Sequence, residues 1–144
     1  MSRMQPSFRD HFSAHAADYA RYRPDYPAAL FSYLASLTPE PRFAWDCATG
    51  NGQASAGLAR HFDVVLATDA SARQFESAPS LPRVRYAVGP AEKSYLPDES
   101  VDLVTVAQAL HWFDIPAFFA ELRRVLVPRG VLAVWCYGLL SIAP

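Results

Sequence analysis

Three stretches of the chain, Val64-Val-Leu-Ala-Thr68, Val101 to Ala107 and Val131 to Tyr137, are apolar almost without interruption. Runs that short and that continuous suit strands covered on both faces, which is the situation inside a parallel sheet. Two shorter runs, Phe43-Ala-Trp45 ending in Asp46 and Val84 to Val88, join the same series. The segments between them carry helical spacing and Gly or Pro punctuation. Gln53 to His61 reads as a small-residue helix and Ser71 to Ala78 as another. A third spans about Pro116 to Val127, with Phe119, Leu122 and Leu126 inward and Pro128-Arg-Gly130 as its stop. Strand, helix, strand, repeated, predicts an α/β fold: a doubly wound, Rossmann-like parallel sheet of about five strands with helices on both faces.

Ahead of this core, Ser7 to Ala20 places Phe8, Phe12, Ala16 and Tyr19 on one helical stripe. Arg21-Tyr-Arg-Pro-Asp-Tyr-Pro27 then interrupts the helix, because each proline disfavours α conformation in the residue before it. Pro27 suits the first position of a further helix, with Leu30, Leu34 and Leu37 on its buried face. The 144 residues fit a single domain. Residues 1–40 form a helical N-terminal part and 41–144 the sheet core.

Composition narrows the function classes. A hydrophobic share of 51% with 19% charged residues excludes a disordered tail. A formal charge of −1 supplies no electrostatic footprint for nucleic acid or anionic membrane. No run approaches the ~20 apolar residues of a membrane span, and the N-terminus lacks a signal-peptide core. Cys47 and Cys136 form no CxxC pair, so a cysteine zinc site is excluded. Both read as buried thiols of a reducing, cytoplasmic compartment. His11 and His15 stand four apart without a third ligand and read as a polar helix edge, so no metal site is expected.

Ligands of such sheets bind at the carboxyl ends of the strands, where strand order reverses. After the first strand comes Asp46-Cys-Ala-Thr-Gly-Asn-Gly-Gln53, in which Gly50 and Gly52 permit a sharp turn and close backbone approach. Asp46 would repel a pyrophosphate, and Ser55 stands where a GxGxxG dinucleotide fingerprint has its third small residue. A carboxylate beside a glycine turn suits a ligand that is cationic there, such as the amino and sulfonium groups of S-adenosylmethionine. Asp69, ending the second strand, can accept one ribose hydroxyl on each carboxylate oxygen. An NAD site also uses an acid at that place, so the pair Asp46 and Asp69 is the discriminating feature. Asp98, Glu99 and Asp102, near the start of the fourth strand, read as surface charges at the other end of the sheet.

With these residues the chain resembles the class I S-adenosylmethionine-dependent methyltransferases, a type 11 methyltransferase domain similar to the trans-aconitate methyltransferase branch. The matching stretches are Tyr19 to Pro27, Asp46 to Gln53, Ala67-Thr-Asp-Ala-Ser71, Gly89-Pro-Ala-Glu92, Gln108-Ala-Leu-His-Trp-Phe113 and Leu122 to Gly130. Ala48 departs from the resembled pattern, which usually has its first glycine there; its methyl group requires a negative φ. The resemblance implies a cofactor-binding set of Tyr22, Asp46, Ala48, Gly50, Gly52, Asp69, Ala91, Glu92, Ala107 and Gln108. Asp46, Gly50 and Gly52 would cradle the methionyl part and Asp69 the ribose. The Ala91 amide and Glu92 carboxylate would read the adenine edge, and backbone around Ala107 and Gln108 would face the amino group. Residues 1–40 become a lid over the cofactor.

Methyl transfer is an in-line attack on an already activated carbon, so alignment and water exclusion matter most. His111 follows the fourth strand and is the candidate base or pocket residue; packing at a helix start is its other reading. Trp112 and Phe113 can wall the pocket and screen a sulfonium, or pack in the core. Arg21 and Arg23 suit a small anionic substrate, or are solvated linker residues. The resembled enzymes continue into C-terminal antiparallel strands that this chain lacks, so it reads as C-terminally truncated. The fifth strand, with Trp135 and Tyr137, then stands as an open edge that a second copy or another partner would cover. A small-molecule methyltransferase is the expected function. The alternatives are a non-catalytic S-adenosylmethionine-binding fragment and an NAD-dependent oxidoreductase.

Overall fold

The computed structural model of the chain describes residues 26–136. The expected helix 7–20, with His11, His15 and Tyr19, lies outside them, as do Arg21, Tyr22, Arg23 and Tyr137.

Five parallel strands form one sheet: β1 (Phe43–Cys47), β2 (Val64–Asp69), β3 (Val84–Val88), β4 (Val101–Ala107) and β5 (Leu126–Trp135). Their order is β3-β2-β1-β4-β5. The chain winds outward from β1 through β2 to β3, then crosses back to lay β4 on the other side of β1. Strand order therefore reverses beside β1, and the crevice between the β1 and β4 ends is the place such a sheet offers a ligand.

Alternation along the strands splits the core in two. Ala44 pairs with Leu103 and faces the helix α1 (Ala28–Leu37) and the helix α2 (Gln53–Leu58), together with Phe31, Leu58, Phe62 and Val65. Trp45, one residue on, pairs with Val104 and turns to the other face, where the helix α3 (Ile115–Val125) supplies Phe118, Leu122 and Val125. Helix α2 approaches α1 through Gly57, where a Cβ would fall 2.2 Å from the Phe31 ring. No described helix is long and apolar enough to cross a membrane.

The elements differ from the sequence expectation in several places. In α1 the buried face is Phe31 and Leu34, and Leu37 is 45% exposed, because the helix stops there with the Thr38 hydroxyl on the Ala35 carbonyl. Helix α2 ends at Leu58, three residues early; Phe62 then folds under, its amide on the Leu58 carbonyl. The expected helix from Ser71 to Ala78 is a 3₁₀ segment, Ala72–Ser77, that buries only Gln74 and is halted before Pro79. Helix α3 starts at Ile115, capped by Asp114, whose side chain accepts from the Ala117 amide. It is Phe118 and Val125, not Phe119 and Leu126, that lie fully buried, so its inward face is rotated from the expected one. Leu126 already pairs with Val101, and Pro128-Arg-Gly130 is a register irregularity inside β5 with Arg129 at φ +64°. Cys47 is buried as expected, but Cys136 at the end of β5 is exposed.

Asp102 is not a surface charge. It is 7% exposed and its Oδ2 accepts the Phe43 amide at 3.0 Å, fastening the start of β1 to β4. Asp98 is exposed and pairs with Arg124.

Candidate functional site

The turn from β1 into α2 is held from below by Asp46. This carboxylate is wholly buried, and three hydroxyls reach it: Thr49 (2.6 Å) and Ser55 (2.7 Å) on Oδ2, Thr105 (2.9 Å) on Oδ1. Above it the backbone takes the left-handed region three times, at Ala48 (φ +56°), Gly50 (φ +59°) and Gly52 (φ +80°). Ala48 thus has the conformation its methyl group disfavours; the turn geometry overrides the residue's preference, at a cost of roughly 1–2 kcal/mol. Gly52 is required twice over, since a Cβ there would also meet the Tyr86 hydroxyl at 2.7 Å.

A second carboxylate ties this turn to its neighbour. Asp69 Oδ2 accepts the Gly50 amide at 3.0 Å and Oδ1 the Ser71 amide at 3.0 Å. The Thr49 amide donates to the Thr68 carbonyl at 2.8 Å, and the Gly89 amide to the Asp69 carbonyl at 2.9 Å. The ends of β1, β2 and β3 are therefore laced through Asp69 and the residue before it.

Negative charge converges here. Burial pushes the Cys47 thiol well above its usual value, and the charges of Asp46, Glu92 and Asp69 push it further. The Tyr86 phenol is also raised, by burial and then by Asp46. Both groups are thereby held in their neutral forms beside these carboxylates.

The rest of the described expected set lies on the segments that follow β3 and β4. Ala91 is buried. The Glu92 Oε1 accepts the Asp114 amide at 2.9 Å, which joins the loop after β3 to the start of α3. Gln108 closes β4 in the left-handed region (φ +64°), its amide on the Trp135 carbonyl at 2.9 Å. His111 and Trp112 lie in a 3₁₀ turn, Leu110–Trp112, both exposed, with ring centroids 4.4 Å apart. Phe113 packs on Phe118 at 4.9 Å and belongs to the core rather than to a pocket wall.

Two buried polar atoms at this end of the sheet, Asn51 Oδ1 and Trp135 Nε1, have no hydrogen-bond partner among the described residues. Among those residues no group of three or more His, Cys, Asp and Glu is placed to hold a metal ion. Sequence reasoning missed Thr49, Ser55, Thr105 and Tyr86. Thr105 carries no local signal: it faces Asp46 only because β4 pairs with β1 in that register.

The methyltransferase domain family matches residues 45–134. A candidate methyltransferase of Dictyostelium discoideum is 42% identical over 136 residues, covering 94% of this chain and 52% of that protein. A candidate type II methyltransferase from Anaeromyxobacter dehalogenans superimposes with a TM-score of 0.79 at 50% identity, over 85% of this chain and 52% of the other. DhpI in complex with SAH gives a TM-score of 0.70 at 27% identity, over 85% of this chain and 63% of DhpI. The chain spans about half the length of the curated relatives it matches. Strand order, glycine turn and family match agree: the chain belongs to the class I S-adenosylmethionine-dependent methyltransferases.

Proposed function

We propose that the chain binds S-adenosylmethionine at the ends of β1, β2 and β4 and serves methyl transfer to a small molecule. The observation that carries this reading is the glycine turn clamped between two carboxylates, with the Gly50 amide on Asp69 and Asp46 beneath. The residues present fit the cofactor. Gly50 and Gly52 take the left-handed conformation the turn needs, Asn51 Oδ1 awaits a donor, and Asp46 and Asp69 flank the turn. A dinucleotide fits worse, because the carboxylate field opposes a pyrophosphate.

When bound, S-adenosylmethionine supplies an activated methyl group. The protein's task is then to orient and to dehydrate, and alignment alone can contribute roughly 7–11 kcal/mol. The backbone of 48–52 receives the methionyl end, and the Asp69 carboxylate, at the end of β2, takes the ribose hydroxyls. Ala91 and Glu92 border the adenine, with Glu92 also setting the position of α3 through Asp114. Ala107 and Gln108 face the amino group. His111 and Trp112, exposed at the rim, are placed to meet the acceptor, and His111 can take its proton where the acceptor is a hydroxyl or amine. A carboxylate acceptor needs no base. The resemblance of Tyr19 to Pro27 to the trans-aconitate branch, with Tyr22, Arg21 and Arg23, supports a small carboxylic acid, methylated on oxygen under a lid from residues 1–40.

The free thiols Cys47 and Cys136 suit a reducing, cytoplasmic compartment. Among the described residues β5 has a single neighbour, β4, and a second copy covering its free edge would satisfy its backbone. Calorimetry decides the cofactor: S-adenosylhomocysteine is expected to bind and NADH not to, and the reverse overturns the reading. A methyl-transfer assay on small carboxylic acids separates an enzyme from a binding module.

A further inference from the structure

We propose that Thr105 and Ser55 are positioning residues for the methionyl end of the cofactor, acting through Asp46 and touching no ligand themselves. The proposal rests on the S-adenosylmethionine reading above and concerns how the turn is held in the binding conformation.

The Asp46 carboxylate has no exposed surface. Its two oxygens are divided between elements. Oδ1 takes the Thr105 hydroxyl from β4, and Oδ2 takes Thr49 from the turn itself and Ser55 from α2. A hydroxyl carries one proton. Ser55 and Thr49 lie 3.0 Å apart, yet each spends its proton on Asp46, so both oxygens point their lone pairs away from the carboxylate. The charge is thereby matched by donors from three directions: strand, turn and helix. Hydrogen bonds to a charged group are the strong ones, and all three converge under a turn with three left-handed residues, one of them Ala48. Such a backbone persists only where its surroundings over-determine it. The cage is that over-determination. Thr105 is fully buried and 59 positions from Asp46 in sequence, so its hydroxyl fixes the turn relative to β4, on whose end Ala107 and Gln108 stand. Loosening it lets the turn move against β4 while Asp69, which holds the ribose side from β2, stays in place.

The test separates the two ends of the cofactor. S-adenosylhomocysteine carries both the nucleoside and the amino-acid portion; 5′-methylthioadenosine lacks the amino acid. In Thr105→Val, whose side chain keeps its shape and loses the hydroxyl, S-adenosylhomocysteine is expected to bind about tenfold more weakly, about 1.4 kcal/mol, while 5′-methylthioadenosine changes less than twofold. Thr105→Ser restores the donor and the affinity. Ser55→Ala, outside the strand, repeats the selective loss if Thr105→Val folds poorly, as melting temperatures would show. Equal weakening of both ligands, or no weakening of either, overturns the positioning role. Failure of the unaltered chain to bind S-adenosylhomocysteine overturns instead the cofactor reading on which it rests.

Discussion

Asp46 and Asp102 are both buried, sit on the adjacent strands β1 and β4, and guard opposite ends of the same sheet. At the amino end Asp102 accepts the Phe43 amide, and Arg124 joins Glu121 and the exposed Asp98 at the foot of α3. At the carboxyl end Asp46 receives three side-chain hydroxyls and supports a turn with three left-handed residues. One acid closes a strand start that would form regardless; the other holds a backbone that would not otherwise persist. The difference shows where conformational strain is concentrated: at the ligand end, with a buried charge underneath to maintain it.

The sharpest way to break this contrast is to remove both acids in turn. Asp46→Ala strands three buried hydroxyls and is expected to cost about 3 kcal/mol or more, with loss of S-adenosylhomocysteine binding. Asp102→Ala frees a single amide and should cost about 1–3 kcal/mol, while the folded fraction still binds. Urea unfolding paired with calorimetry measures both, and equal loss of binding in the two variants would erase the distinction between the ends.

Asp69→Ala is next in size: it frees the Gly50 and Ser71 amides, at about 1–3 kcal/mol of stability, and also removes the ribose acceptor. The two hydrogen bonds expected from the ribose are each worth about 1.5–3 kcal/mol, so S-adenosylhomocysteine binding should fall more than tenfold. Asp98→Ala removes an exposed ion pair and should shift stability by less than about 1 kcal/mol and leave affinity intact.

Ala48→Gly relieves a left-handed alanine. Net of the freedom a glycine loses on folding, a gain of about 0.5–1 kcal/mol is expected, or a melting temperature higher by about 2–4 °C in a thermal scan. The same substitution at Ala44, fully buried in β1, creates a gap in the core and should lower the melting temperature.

The smallest effect is a pH dependence at the amino end. Burial pushes the Glu121 carboxyl up, but hydrogen bonds from Arg124 and the Ser94 amide outweigh it and leave the group below its usual value. A carboxyl lowered in the folded state adds stability above its unfolded value, near 4.5, and that stability is lost as the pH falls through the lower folded value. Urea midpoints between pH 6 and pH 3 (roughly the span that such a lowered carboxyl covers) should fall less steeply in Glu121→Gln than in the unaltered chain.

The central strands were legible in the sequence because burial on both faces leaves continuous apolar runs: β4 has the expected bounds, as does the more exposed edge strand β3. Glycines and acids at strand ends were legible for a similar reason, since few other residues suit a turn of that shape. The face of α3 was not, because Phe118 and Phe119 are adjacent and only packing against Trp45 selects the first. The burial of Asp102 was hidden because its partner is a backbone amide 59 residues away. Thr105 was hidden likewise, being one more polar residue in a strand until its neighbour is known.

The topology also orders the assembly of the site in time. Strand β1 meets β2 across 21 positions, Phe43 to Val64, and β2 meets β3 across 19, Val65 to Val84. Its other partner, β4, is 59 positions away, Ala44 to Leu103. Loop-closure entropy favours the nearer pairings first, and a chain emerging from the ribosome exposes them first as well. The β1-β2-β3 half can therefore form with Asp46, Thr49 and Ser55 already adjacent, while the Oδ1 side of the carboxylate remains wet. Arrival of β4 dries that oxygen and supplies Thr105. A nascent chain would acquire the outline of its ligand turn early and its final shape only when β4 has docked.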